Sequence, residues 1–367
     1  MTVISMIRCA NTVLAIVGAV AIALVAGGCA PTTTVARGST SSVEAELIKQ
    51  QSLALNLMLS RYARLDSLGW PILSANVQLC KSQRLGFGIR AASRRDLGRD
   101  LEKGWENQLN TTNDATIISI SAGSPAERGG LQVGDQLVSI GGKTVSSGRG
   151  AHKKVRKLIR KQASAGNSLE FAVYRPGSDE TVVSNLVPQE ICDVEVLIVD
   201  DDRINAFTDG IRLVFNLGMI RFAESDWELQ LVFAHELAHV VEGHIDKKLG
   251  NALIGAVIDG VITGASGYYS NTFSNLGLSA FSQEFEREAD YVGLYIMARS
   301  GLDTAQAANF WRRIAAESPL QNSKTAPFAR THPAAAERFA NIEATHEEIQ
   351  HKIQAGLPLI PERRKDL

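Results

Sequence analysis

Five consecutive residues, His235-Glu236-Leu237-Ala238-His239, have the types and spacing to do chemistry. On a helix, positions four apart share a face, so both imidazoles can point at one ion. Glu236 beside the first would reach a water held on that ion and take its proton, which is the arrangement metal-assisted hydrolysis needs. Leu229, Val232 and Phe233 precede the five and Val240 and Val241 follow, so the helix should be mostly buried. Two histidines and a glutamate on a buried helix are costly unless paired or ligating. The plainer alternative is a structural helix with satisfied core histidines.

A catalytic zinc takes three protein ligands and leaves a fourth position open. His244 lies five residues after His239, where an extended three-histidine pattern would place its glycine and histidine at other positions, now held by Glu242 and Ile245. His244 therefore reads as exposed or supporting. Glu286 and Asp290 are a better source of the third ligand. They are four apart on a predicted helix, so one can bind metal while the other holds a ligating histidine. Glu288 falls off that face and reads as a solvated charge.

Several elements must position these groups. Ser225 offers an N-cap for a long helix predicted to run through His244. Residues 194–199 and 211–215 read as apolar strands, and residues 43–68 as an amphipathic helix broken by Trp70-Pro71. A Gly-broken apolar stretch over 252–269 is too polar for a confident membrane span. Between 78 and 190 the texture differs: short β-like runs at 86–89, 116–120, 136–140, 169–174 and 181–187 alternate with Gly-rich turns, and a basic helix covers 151–161.

Four pieces resemble the zinc metallopeptidase family that includes HtpX and the CAAX prenyl proteases. They are Ile204-Asn205-Ala206-Phe207, the His-Glu-Leu-Ala-His helix, Glu286 with Asp290, and Thr331-His332-Pro333 followed by Arg338. The resemblance covers about 190–340 and implies an α+β fold, a mainly helical zincin-like domain with a small sheet. It implies one zinc ion on His235, His239 and Glu286, with Glu236 as general base and Asp290 and Arg338 as supporting residues. By the same likeness Asn205, Ala206, Ile211 and Leu213 would meet an extended substrate, the strand at 211–215 being the edge that binds it. His332 would stand near the metal, either stabilising the oxyanion or closing the fourth position and holding the enzyme latent. The several hydrophobic spans of the integral-membrane members are lacking, so the likeness is to soluble, periplasmic, lipoprotein-type members.

Leu85-Gly86-Phe87-Gly88 resembles the carboxylate-binding loop of PDZ domains, and 124–137 resembles their core segment. A β-rich PDZ-like domain is expected there, taking peptide C-termini on backbone N–H groups of the loop. Residues 91–114 exceed what that pattern needs. The six basic side chains of the 151–161 helix read first as a solvated face, otherwise as a site for acidic tails or anionic lipid.

The N-terminus is of another material. An apolar run at 13–25 ends in Ala26-Gly27-Gly28-Cys29, which resembles a bacterial lipoprotein signal, although Ala26 stands where such signals usually carry Leu. Lipidation of Cys29 would tether the chain to the envelope by a Thr- and Ser-rich segment. Cys80 and Cys192 remain as a possible disulfide across the necks of an inserted domain. The expected organisation is a signal peptide at 1–28, a tether at 29–42 and a protease-domain helix at 43–77. A PDZ-like domain at 78–190, the metallopeptidase domain at 191–350 and a charged tail at 351–367 complete it.

With 367 residues the chain can bury two cores, and 45% hydrophobic content is globular. A net charge of −1 argues against nucleic acid as a global partner. The expected function is an endopeptidase anchored in the bacterial periplasm, more in keeping with the outer than the inner membrane, since Ala30 is not the Asp of inner-membrane retention. It would act on misfolded or misassembled proteins in quality control. The alternative is a latent or non-catalytic PDZ scaffold or chaperone with a structural zinc.

Overall fold

The computed structural model describes residues 38–96, 101–109, 113–178, 180–249, 283–320, 332 and 336–362. The signal, most of the tether with Cys29, the apolar stretch at 252–269, Thr331, Pro333 and the last five residues of the charged tail lie outside them. Residues 48–367 form one compact unit, and residues 38–47 contribute the first turns of helix α1.

Helix α1 (Thr40–Ala75) runs through Trp70 and Pro71 rather than breaking there. An internal proline loses a hydrogen bond and costs about 3 kcal/mol. Trp70, Ile72 and Leu73 are all buried around it, and each such side chain returns roughly 1.5–3 kcal/mol, so packing wins over propensity. Strand β1 (Gln83–Gly86) follows, then β2 (Ile89–Ala92) and α2 (Glu102–Leu109). The run expected at 86–89 is instead the corner between the strands. Gly88 has φ 75°, and a Cβ there would lie 2.1 Å from the Ser124 Cβ, so the chain turns where only glycine fits.

Strands β3 (Thr116–Ile120), β4 (Gln136–Ile140), β5 (Lys143–Thr144), β6 (Leu169–Tyr174) and β7 (Thr181–Leu186) extend β2 into a sheet of order β2-β3-β4-β6-β7, with β5 on β4. The short helix α3 (Pro125–Arg128) and the basic helix α4 (Ala151–Gln162) complete this part. Its core holds Phe87, Ile117, Ile140, Val155 and Phe171. The extra segment is no idle insertion: Trp105 of α2 is fully buried with Leu55 of α1, Ala92 and Ile118.

Strand β8 (Gln189–Cys192) returns antiparallel to β1. A disulfide joins Cys80 to Cys192 beside that ladder, with Cα atoms 5.6 Å apart. Strands β9 (Glu195–Val199), β10 (Ala206–Thr208) and β11 (Arg212–Asn216) then make a three-stranded sheet of order β10-β11-β9. This corrects the expectation for 211–215: β11 is the middle strand, antiparallel to β10 and parallel to β9. Leu213, Val214 and Phe215 are all buried, the pattern of a strand covered on both faces. Ile211 lies before the strand and is exposed. The edge beside Asn205 and Ala206 is β10.

The remaining helices are α5 (Leu217–Phe222), α6 (Asp226–Glu242), α7 (His244–Leu249), α8 (Gln283–Arg299), α9 (Ala307–Leu320) and α10 (Ala336–Gln354). Ser225 caps α6 as expected, its side chain accepting from the Glu228 N–H at 3.3 Å. The helix stops at Glu242, short of His244, because Gly243 adopts φ 66° and closes a left-handed C-cap. One apolar core joins α1, the three-stranded sheet and α6, α8, α9 and α10, so it draws residues from both sides of the β-rich part.

Candidate metal centre

Helix α6 packs on β10 and β11 on one side and along α8 on the other. Its inner face carries His235 and His239 and places Glu236 between them, all buried. Helix α8 presents Glu286 and Asp290 one turn apart. His332 enters from before α10 and is buried as well.

Four side chains converge. His235 Nε2 lies 3.2 Å from His239 Nε2 and 3.2 Å from His332 Nδ1. Glu286 lies 3.5 Å from each α6 imidazole and 2.8 Å from His332 Nδ1. One donor atom from each of the four sits within 4.8 Å of the others. Ligands about 2.0–2.1 Å from a tetrahedral zinc stand about 3.3 Å apart, so the donor set has the right span. The polar atoms agree: both Glu236 oxygens and Glu286 Oε1 have no hydrogen bond among the described residues. Three buried carboxylates, on Glu236, Glu286 and Asp290, face the guanidinium of Arg338 and the His235 imidazole, which against its burial Asp290 and Glu286 raise to about 9. A divalent cation would redress that balance.

The titration of the groups follows from their surroundings. Burial pushes the Glu236 carboxyl up, against the pull of His332 and His235. Burial alone would raise Glu286 too, but His332, His235 and His239 together outweigh it and hold it well below the usual carboxylate range. Burial keeps the His239 imidazole far below its usual value, hence neutral and able to ligate.

Each α6 histidine has its own support. His235 Nδ1 lies 3.0 Å from Asp290 Oδ1, and Arg338 grips Asp290 at 2.6 and 2.9 Å. Arg338 also donates to the His332 carbonyl at 3.2 Å. On the other side His239 Nδ1 meets His244 Nδ1 at 2.7 Å, and His244 Nε2 meets Glu288 Oε2 at 2.8 Å. A carboxylate behind an imidazole fixes its tautomer and ring plane. Here the support reaches His239 through a second histidine.

Comparison with known proteins agrees with this geometry. Residues 181–346 match the model of peptidase family M48, and residues 116–175 that of the PDZ domain. The segment that matches family M48 is the one that carries the metal cluster. M48 metallopeptidases use zinc, and the His-His-Glu-His cluster suits one such ion. Among relatives, the mitochondrial metalloendopeptidase OMA1 of Schizosaccharomyces pombe is 36% identical over 167 residues, which is 43% of this chain and 48% of that one. The beta-barrel assembly-enhancing protease of Yersinia pestis is 28% identical over 151 residues, 37% of this chain and 31% of that one. The chain thus spans about half the length of the first relative and a third of the second. A crystal structure of the HtrA3 PDZ domain bound to a phage-derived ligand gives a TM-score of 0.23 at 17% identity, covering 30% of this chain and 89% of that one.

The M48-like segment brings together His235, Glu236, His239, Glu286, Asp290, His332 and Arg338. Asn205 and Ala206 stand on or beside edge strand β10, while Leu213 lies in the core of β11 and Ile211 outside it. Leu85 and Gly86 end β1, Phe87 is a core residue against Phe171, and Gly88 makes the turn. Of the two readings left for His244 the structure has the supporting one, and Glu288 departs from expectation. His244 is fully buried, its ring stacked on Phe285 at 4.4 Å, and Glu288 is its partner rather than a free surface charge. The signal is Gly243: a helix stop there turns the chain back and returns His244 to His239.

Proposed function

We propose that the protein is a zinc-dependent endopeptidase of the bacterial cell envelope, in which His235, His239 and Glu286 hold the metal and Glu236 is the general base. The observation that carries this is the buried convergence of those three donors beside a carboxylate with no hydrogen bond of its own among the described residues. Zinc, when bound, would acidify water and polarise the scissile carbonyl. Glu236 then takes the proton from the attacking water and delivers it to the leaving amine. Its low-polarity surroundings raise its basicity toward neutral pH, which suits the task. Strand β10, an edge among the described strands, receives an extended substrate beside Asn205 and Ala206 by strand addition. Asp290 and Arg338 keep the His235 ring in place.

A gated form of the same reading has its own support. His332 Nδ1 stands among the three donors, in the place a water or substrate carbonyl would need. His332 in that position holds the enzyme latent, and its departure opens the fourth site. The loop around Leu85 to Gly88 selects protein C-termini. Lipid on Cys29 anchors the chain at the periplasmic face of the envelope, in the outer membrane, where misassembled proteins are its substrates. In this reading 1–28 is removed, 29–42 is the tether, 78–190 is the PDZ-like insert and 43–77 with 191–350 is the protease.

Proteolysis of an unfolded protein by the zinc-loaded wild type and Glu236→Gln, each with and without chelator, tests the assignment. The expected result is loss of about 10²–10⁴ in turnover for Glu236→Gln with zinc still bound. Equal rates in the two proteins would refute it.

A further inference from the structure

Within the unit formed by residues 48–367, a cavity of about 360 Å³ lies between the PDZ-like sheet and the metallopeptidase part. Phe87, Val155 and Ile159 line it from one side; Trp70, Leu73 and Val194 line it from the other. It coincides with the groove between β2 and α4 in which the PDZ-like part would seat a peptide C-terminus, and the role inferred for Asp193 rests on that reading. The groove is roofed by the chain's own metallopeptidase elements.

Its charged lining is unusual. The Asp193 carboxylate stands among three guanidiniums, with Arg160 at 2.8 Å, Arg156 at 3.3 Å and Arg84 at 3.4 Å. Arg156 also reaches Glu195, the first residue of β9, at 2.9 Å. All five side chains border the cavity, and three cations against two anions leave a positive charge over. Burial first, then Arg156, lowers the Arg84 guanidinium to about 10. Its Nε has no hydrogen bond among the described residues. Asp193 is held there by the backbone: its N–H donates to the Ser82 carbonyl at 2.9 Å, and the residue before it is disulfide-bonded Cys192. A carboxylate so tethered acts at high effective concentration.

The geometry points to Asp193 as a built-in competitor, its carboxylate occupying the guanidinium site that the terminal carboxylate of a bound peptide takes. An apolar last side chain enters among Phe87, Val155 and Ile159, and its carboxylate replaces Asp193 on Arg84 and Arg156. Filling the groove then breaks the Asp193 contacts of α4 and leaves Arg156 to Glu195 to hold it against the start of β9. A groove ligand is thereby linked to the strand that pairs with β11 in the sheet under the metal helix.

Fluorescence anisotropy of the full chain tests this, using a labelled peptide that ends in three apolar residues and a free carboxylate, with its C-terminal amide as control. Asp193→Asn removes the charge and keeps the shape, and should tighten binding of the free-acid peptide about tenfold while leaving the amide unchanged. Glu195→Gln, the same loss of charge two residues on, should change affinity less than about twofold. Asp193→Ser, measured alike, serves should the Asn variant not fold. A folded Asp193 variant with wild-type affinity overturns the inference, and so does a gain shared equally by the amide. Failure of both peptides to bind any form overturns the PDZ reading itself.

Discussion

Replacing His332 by alanine separates the two roles open to that imidazole. Its Nδ1 lies with the three metal donors, so its removal empties the fourth coordination position. The strength of closure can be gauged without the ion. Arg338 donates to the His332 carbonyl at 3.2 Å in a buried setting, and a hydrogen bond from a charged donor contributes about 1.5–3 kcal/mol. At about 1.4 kcal/mol per tenfold, that is a closed-to-open ratio of about 10 to 150. A site open for a tenth to a hundredth of the time gains about 10- to 100-fold in kcat/KM when the imidazole is gone, since the apparent constant scales with the competent fraction. The assay is the initial rate of cleavage of an unfolded, fluorescently quenched protein by zinc-loaded His332→Ala and wild type. Zinc content is measured on the same samples, and the double variant with Glu236→Gln serves as blank. A loaded His332→Ala enzyme no faster than wild type refutes the gate. A fall of tenfold or more would instead assign His332 to stabilising the oxyanion.

Three further outcomes test the supports around the site. His244→Ala should weaken zinc binding about 10- to 100-fold, as loss of a partner behind a ligating histidine does, read by competition with a chromophoric chelator; unchanged affinity would remove His244 from the site. Reducing the Cys80–Cys192 bond, which spans a sequence separation of 112, should lower unfolding free energy by about 3–5 kcal/mol in urea titrations, and an unshifted midpoint would contradict it. His152 is half-buried beside the cavity, 3.8 Å from Glu195, and desolvation first, then Arg90, Arg156 and Arg84, hold its imidazole well below the usual value. It stays neutral in the folded chain while the unfolded chain takes up a proton below about pH 6.5, so stability should fall as pH drops through that value, by up to about 1.4 kcal/mol per pH unit. His152→Gln should flatten that slope in melts between pH 7 and 5, and an equally steep slope would refute the assignment.

The metal helix is legible in the sequence because its chemistry is local. Five residues at helical spacing state which groups share a face, and a buried helix has little choice about what those groups do. Glu286 and Asp290 are legible for the same reason. What the sequence hides are facts about neighbours. That β11 is a middle strand depends on β9 and β10 pairing with it, and strand order is a property of the sheet, not of 211–215. Helix α1 crosses Pro71 because Trp70, Ile72 and Leu73 find a core made largely of residues after 190. The sequence leaves His244 as exposed or supporting because it misses a known spacing, although a glycine one residue earlier marks a helix end.

The two metal histidines are therefore held unequally, and the inequality has consequences. His235 is backed by a carboxylate that is itself locked by Arg338, with all three side chains buried. His239 is backed through His244 by Glu288, whose side chain is 40% exposed. A carboxylate open to solvent can trade its partner for water, so the His239 support is the softer of the two. Arg338 holds Asp290 and the His332 carbonyl at once, which ties the rigid support to the proposed gate. Loss of Arg338 should therefore disturb metal binding and gating together, whereas loss of Glu288 should loosen the metal alone. That difference follows from what each residue holds: Arg338 grips Asp290 and the His332 carbonyl, Glu288 the His244 imidazole.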